Sequence, residues 1–170
     1  MDLKDVDFTH NVAATFRTMQ EHGLLLTSVS PDGRPDTMAI GIGHIGPGWP
    51  GPCFVVYVRP SRYTYECIEA NGAFVVSVPT DEMHDAVWHC GSVSGRDNDK
   101  FADCGFTTTP AATVGVPLID QCVMHYECRV VGWTDIVEDG VEDAVRSKFY
   151  ADGDYHRIYF GQILRTVERT

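Results

Sequence analysis

The chain of 170 residues carries 13 Lys+Arg against 24 Asp+Glu, a net charge of −11, with 44% hydrophobic and 22% charged residues. That length suffices for one domain, 1–170, with a real core, and the composition is that of a folded chain rather than a disordered one. So acidic a surface repels nucleic acid and anionic membranes, which excludes both as partners, and an anionic ligand here needs a local basic corner.

No apolar h-region opens MDLKDVDFTH, and no run approaches the ~20 apolar residues of a membrane span, so a cytoplasmic protein is expected. The six cysteines, at 53, 67, 90, 104, 122 and 128, form no CxxC pair and read as buried free thiols.

Thr9 to His22 reads as a helix with Val12, Phe16 and Met19 on one face, closed by Gly23. Leu24 to Ser30 is a strand, Pro31-Asp32-Gly33 a tight turn, and Thr37 to Gly43 the returning strand of a hairpin. Gly41-Ile42-Gly43-His44-Ile45-Gly46 then matches the G-x-G-x-x-G dinucleotide fingerprint in letters only. Its last glycine must open a helix that holds a pyrophosphate, and Pro47, Gly48, Pro50 and Gly51 forbid one. A Gly/Pro loop is expected here, laying Trp49 over a neighbouring surface.

Cys53 to Val58 is an apolar, β-branched run and reads as a buried strand, ended by Arg59-Pro60. Ser61 offers an N-cap to a helix with Tyr65 and Ile68 at helical spacing. Asn71-Gly72 is its left-handed C-cap, and Ala73 to Val78 is the next strand. This order gathers Arg59, Ser61, Arg62 and Thr64 around a helix N-terminus with free N–H groups, a corner suited to a phosphate. The alternative reading is that Ser61 only caps and the arginines are solvated.

Glu82 to Cys90 is a short helix with Met83, Ala86, Val87 and Cys90 inward. After a small, flexible loop, Asp97 caps a helix that Gly105 ends, with Phe101 and Cys104 buried. Arg96 and Lys100 make this loop basic, which suits either a flap over a phosphate or ring edge or an ordinary surface loop. From Ile119 to Gly132, Met124, Tyr126, Cys128 and Val130 alternate with His125, Glu127 and Arg129, the pattern of a half-buried antiparallel strand. Val141 to Tyr150 reads as a helix with Val145 and Phe149 inward. Asp152-Gly153-Asp154 turns, and His156 to Val167 is the closing strand. No βαβ rhythm exists, so the fold is expected to be mainly β, an antiparallel barrel with a few short helices.

His84, His89, Cys90 and Cys104 lack the usual zinc spacing. Cys90 beside His89 is a formal thiol–base pair, but neighbours on a helix point about 100° apart. No G-x-S-x-G is present for a serine hydrolase. Core packing explains these residues better, and no metal is expected. His156, opening the last strand after a turn, is kept as a residue able to touch a ligand.

Five ordered blocks, covering about Gly23 to Val167, resemble the flavin reductase-like, FMN-binding split-barrel family. They are Gly23-Leu24-Leu25-Leu26-Thr27; Asp32-Gly33 through Asp36-Thr37-Met38 to Ile40-Gly41; Trp49 and Pro52 with Val58 to Tyr65; Ser94-Gly95-Arg96-Asp97 to Asp99-Lys100-Phe101; and His156 to Gly161. The resemblance implies a split β-barrel, antiparallel and Greek-key-like, and a homodimer with FMN at the subunit interface. Thr37, Met38, Ala39 and Ile40 would lie along the isoalloxazine and ribityl chain. Arg59, Ser61 and Thr64 would take the phosphate, Ser94, Gly95 and Lys100 would close on it, and His156 would lie near the ring as the candidate catalytic residue. Asp152 and Asp154 would keep His156 protonated nearer neutral pH. Asp36 stands where relatives tend to have Asn, Ala39 where many have Ser or Thr, and Ile42 where many have Trp, departures that weaken flavin binding or change its potential.

The implied activity is that of an FMN-dependent oxidoreductase moving electrons from NAD(P)H, or from a redox partner protein, to an acceptor. The alternative is an FMN-binding electron carrier with no pyridine-nucleotide site of its own. A zinc- or thiol-dependent enzyme is the third reading.

Overall fold

The computed structural model describes residues 2–170. In chain order the elements are β1 (Leu3–Asp5), α1 (Val12–Glu21), β2 (Leu24–Val29), β3 (Pro35–Ile40), β4 (Gly43–Pro47), β5 (Pro52–Val58), α2 (Tyr63–Asn71), β6 (Ala73–Val78), α3 (His84–Ser92), α4 (Lys100–Asp103), β7 (Thr108–Thr109), β8 (Leu118–Ile119), β9 (Met124–Asp135), α5 (Asp143–Phe149) and β10 (Arg157–Arg169). The main sheet runs β3-β2-β6-β9-β10-β5-β4, with β1 on the far end of β10, and its strand pairs are antiparallel. Only Gly41 and Ile42 separate the two edge strands in the chain, so the sheet curls until β3 and β4 approach without closing. This is the expected split barrel.

The barrel is filled by Phe54, Phe74, Tyr126, Tyr159, Leu24 and Leu26. One close approach fixes the packing. The Phe74 ring lies over Gly161, where a Cβ would collide with it, at a register shift of β10 against β9. On the outside of β2, Leu25 packs against Val87, Cys90 and Phe101 of the helical segments, so this strand is covered on both faces and reads as an unbroken apolar run.

Several expectations are corrected here. The stretch expected as a Gly/Pro loop pairs instead: β4 lies on β5 in the register Gly43↔Val56 to Pro47↔Pro52, because extended backbone at an edge tolerates Gly and Pro. Trp49, at the tip, is 64% exposed and meets Phe160 edge to face. The strand β9 is not half-buried along its first half. His125 and Glu127 are fully buried, because the 107–123 segment covers that face with Val116 and Leu118. Glu127 is satisfied there by Thr113, whose N–H and hydroxyl donate at 2.7 and 2.6 Å, and by Arg165 at 3.1 Å. Val145 and Phe149 do not point inward; they are 40% and 49% exposed on α5. Finally, Asp99 and not Asp97 caps α4, accepting from the Ala102 N–H at 3.1 Å. Among the described residues no helix is long and apolar enough to cross a membrane.

Candidate functional site

Pairing of β10 with β5 puts Arg157 opposite Val58, and so brings the 152–156 turn beside residues 59–61. The consequence is that half of the expected phosphate corner is already engaged. Arg59 donates to the Asp154 carbonyl at 2.7 Å and to the Phe149 carbonyl at 2.5 Å, with its guanidinium over the Tyr150 ring. Ser61 does not cap α2. Its hydroxyl donates to Asp154 Oδ2 at 2.6 Å, and Arg62 takes the cap position with extended backbone and no side-chain cap bond. Arg59 and Ser61 thus anchor the acidic excursion between β9 and β10.

A second knot lies behind the first. Thr64 is buried and donates to Asp36 Oδ2 at 3.1 Å. Lys100 Nζ donates to the Thr37 carbonyl at 2.7 Å and pairs with Asp36 Oδ1. Gly95 lies directly on this carboxylate; a Cβ there would collide with it, so the flap closes only because residue 95 is glycine. Arg34 holds the Gly95 carbonyl at 2.8 Å, Arg96 holds the Ser61 carbonyl at 2.9 Å, and both guanidiniums lie against the Tyr63 ring. The flap is therefore clamped onto the start of α2.

Between these knots lie two clefts of about 180 Å3 each. One is bounded by Ser61, Thr64, Ser94, Gly95 and Lys100, the other by Ile40, Ile42, Tyr57, Arg59 and His156; Met38, Ala39 and Arg62 line both. All the expected site residues but Thr37 face one cleft or the other. Thr37 turns its hydroxyl into the hairpin, onto the Leu26 carbonyl at 3.2 Å, and offers the site only its own carbonyl. The Arg62 side chain, exposed at the junction, has no hydrogen-bond or ion-pair partner among the described residues.

His156 is half-buried, with Nδ1 2.8 Å from the Tyr150 hydroxyl. Burial pushes its pKa down to about 4, the Arg59 and Arg62 charges add to that, and Asp154 opposes without prevailing. The expectation of an imidazole held protonated by Asp152 and Asp154 is thereby corrected: at neutral pH it is neutral. The other candidates also find local partners. His84 stands edge-on to His22, His89 pairs with Asp103 at 3.1 Å, and Cys90 faces Cys104 rather than His89.

Sequence reading missed Arg34 and Tyr63 as clamps of the flap. The available signal was the cluster of Arg62, Tyr63 and Arg96 with an arginine at the hairpin turn, but nothing in spacing joins residues 34, 63 and 96. As built, the site offers a flat ring the end of β3 and the two residues after it, Met38 to Ile42, and an anionic tail the free Arg62 guanidinium.

Comparison with known proteins agrees with this architecture. The flavin reductase like domain family matches residues 16–170. An uncharacterized protein of Archaeoglobus fulgidus is 35% identical over 97 residues, which is 57% of this chain and 46% of that protein. The chain's matches span about half the length of its curated relatives. Flavoredoxin of Desulfovibrio vulgaris (Miyazaki F) superposes with a TM-score of 0.70 at 25% identity, covering 86% of this chain and 69% of that one. An FMN-binding domain of a flavin reductases-like enzyme from Shewanella baltica superposes with a TM-score of 0.69 over 98% of this chain and 77% of that one; at 20% identity this is a likeness of fold. The chain belongs to the flavin reductase like domain family.

Proposed function

We propose that the chain is an FMN-binding flavoprotein of the oxidoreductase kind, one domain over 1–170, that moves electrons from NAD(P)H or a protein donor to an acceptor. The observation that carries this reading is the pair of clefts meeting at Arg62, in a chain that belongs to a flavin reductase family. The residues present fit the cofactor with changed roles. Arg62, joined by Ser94 at the flap, would hold the phosphate, since Arg59, Ser61, Thr64, Arg96 and Lys100 are occupied within the protein. The backbone and side chains from Met38 to Ile42 would orient the ring, and Tyr57 and His156 would bound its far side. Bound FMN would supply the redox chemistry. The protein's part is to place it, limit water and set the local charge: Arg59 and Arg62 give a positive field, and His156 contributes a neutral imidazole with one nitrogen committed to Tyr150.

A second copy of the chain is the proposed partner across the cleft. Trp49, Val55 and Phe160 line an apolar hollow of about 460 Å3 on the outer face of β5 and β10, and exposed aromatic surface of this kind suits a homodimer. Six free thiols are in keeping with a reducing, cytoplasmic setting. A carrier with no pyridine-nucleotide site is the second reading, favoured by the likeness to flavoredoxin of Desulfovibrio vulgaris (Miyazaki F). Anaerobic stopped-flow mixing of the FMN-loaded chain with NADH and NADPH tests these readings. Rapid bleaching supports the reductase. Bleaching only by dithionite supports the carrier, and failure of the chain to take up FMN overturns both.

A further inference from the structure

We propose that Cys90 and Cys104 are a redox-active dithiol whose oxidation to a disulfide latches the flap over the first cleft. Their sulfurs lie 4.0 Å apart, Cys90 on the last turns of α3 and Cys104 at the C-cap of α4. The chain between them runs through Val93, Ser94, Gly95 and Arg96, which with Cys90 itself line that cleft. A bond from 90 to 104 closes a ring around the whole flap.

The sulfurs must approach by about 2 Å to reach a bond length of ~2.05 Å. Cys104 is the side able to move, because it caps a four-residue helix and precedes Gly105, whose φ of 64° ends it. Cys90 is held in α3 among Leu25, Val87 and Phe101. Access differs in the same sense: Cys104 is partly exposed and Cys90 is buried.

Exchange with a low-molecular-weight disulfide, R–S–S–R, therefore starts at Cys104. Its thiolate attacks one sulfur, forms a mixed disulfide and releases R–S⁻, which takes up the proton lost by Cys104. The Cys90 thiolate then attacks the Cys104 sulfur and releases the second R–S⁻, which takes up the proton of Cys90. Two protein thiols and R–S–S–R become one protein disulfide and two R–SH, with electrons and protons balanced. Burial pushes both thiols up, Cys90 to about 12, so mildly alkaline conditions favour the exchange. What the latch does to a bound cofactor rests on the function proposed above, but the thiol chemistry and the stiffness of the flap are read without any flavin.

The full chain is treated with glutathione disulfide at mildly alkaline pH and compared with the dithiothreitol-reduced chain. The expected result is loss of two of the six free thiols, a mass lower by about 2 Da, and a peptide map joining 90 to 104. Tryptic cleavage after the exposed Arg96 should then give fragments that separate only on reduction. Amide exchange across 93–99 should slow by roughly tenfold in the oxidised chain. Cys90→Ser, lacking the second thiol, should stop at a glutathione adduct on Cys104. Retention of all six thiols in the folded chain overturns the proposal. So does a stable glutathione adduct in the wild type, or a bridge that leaves exchange in the flap unchanged. A dithiothreitol-reduced chain that takes up no FMN contradicts the proposed function and leaves the latch standing.

Discussion

Lys100 and Asp36, each 4% exposed, meet inside the site with Nζ and Oδ1 3.5 Å apart. Two charges out of water are stable only when paired and hydrogen-bonded, and here Thr64 and the Thr37 carbonyl complete the set. The knot ties β3, α2 and α4 together and neutralises a cation that would otherwise meet a phosphate. Asp36→Asn keeps the shape and the Thr64 contact while removing the negative charge. FMN affinity is expected to rise by roughly tenfold with riboflavin affinity unchanged. Either change leaves Lys100 without its counter-charge, and Asp36→Ala, which also loses the Thr64 contact, should lower unfolding free energy by about 3–5 kcal/mol. Flavin-fluorescence titration and urea denaturation read the two effects.

The two arginines of the corner should separate by phenotype. Arg62→Ala removes the free cation and is expected to weaken FMN by ~1.5–3 kcal/mol, roughly ten- to a hundredfold, with little change in stability. Arg59→Ala cuts the anchor on the Phe149 and Asp154 carbonyls, so it should loosen the excursion between β9 and β10. Proteolysis within residues 136–155 and FMN titration together distinguish them; the reverse pattern would assign the phosphate to Arg59.

Two histidines set an acid limit. Burial pushes His125 and His156 down to about 4 from an ordinary 6.5. A folded pKa below the unfolded one means that the unfolded chain binds more protons in that window. The stability is present above pH 6.5 and is lost as pH falls towards 4, at up to about 1.4 kcal/mol per pH unit for His125. His125 Nδ1 faces the Ser77 hydroxyl at 2.9 Å, so His125→Gln should flatten the fall in urea stability between pH 7 and 5. For the same reason His156 carries no charge near neutrality, and His156→Ala should shift the FMN potential by an amount that does not vary between pH 6 and 8. A variation across that range would show that His156 titrates there.

The apolar hollow at Trp49 and Phe160 predicts a dimer that a charge would break. Trp49→Glu should give a monomer mass by light scattering at micromolar concentration, where the wild type gives twice that mass. An unchanged mass would place any dimer contact elsewhere.

The fold was legible where apolar alternation and Gly/Pro punctuation act locally. Residues 73–78 are a strand as their pattern says, and Gly33 and Gly72 take left-handed backbone at the turn and helix end read for them. It was illegible where a covering segment decides burial: His125 and Glu127 look like an outer face until residues 107–123 cross them. The site followed the same rule. The blocks that carry the resemblance brought Met38, Arg62, Ser94 and His156 to one place. Which donors stay free depends on Asp36 and Asp154 reaching them across the fold, and no spacing encodes that.

The central claim is that this cleft takes a phosphorylated flavin through Arg62. Titration of the purified chain with FMN and with riboflavin, followed by flavin fluorescence, tests it most directly. About one FMN per chain is predicted, with riboflavin weaker by roughly tenfold or more. Equal affinity for the two, or no uptake of either, would contradict the account.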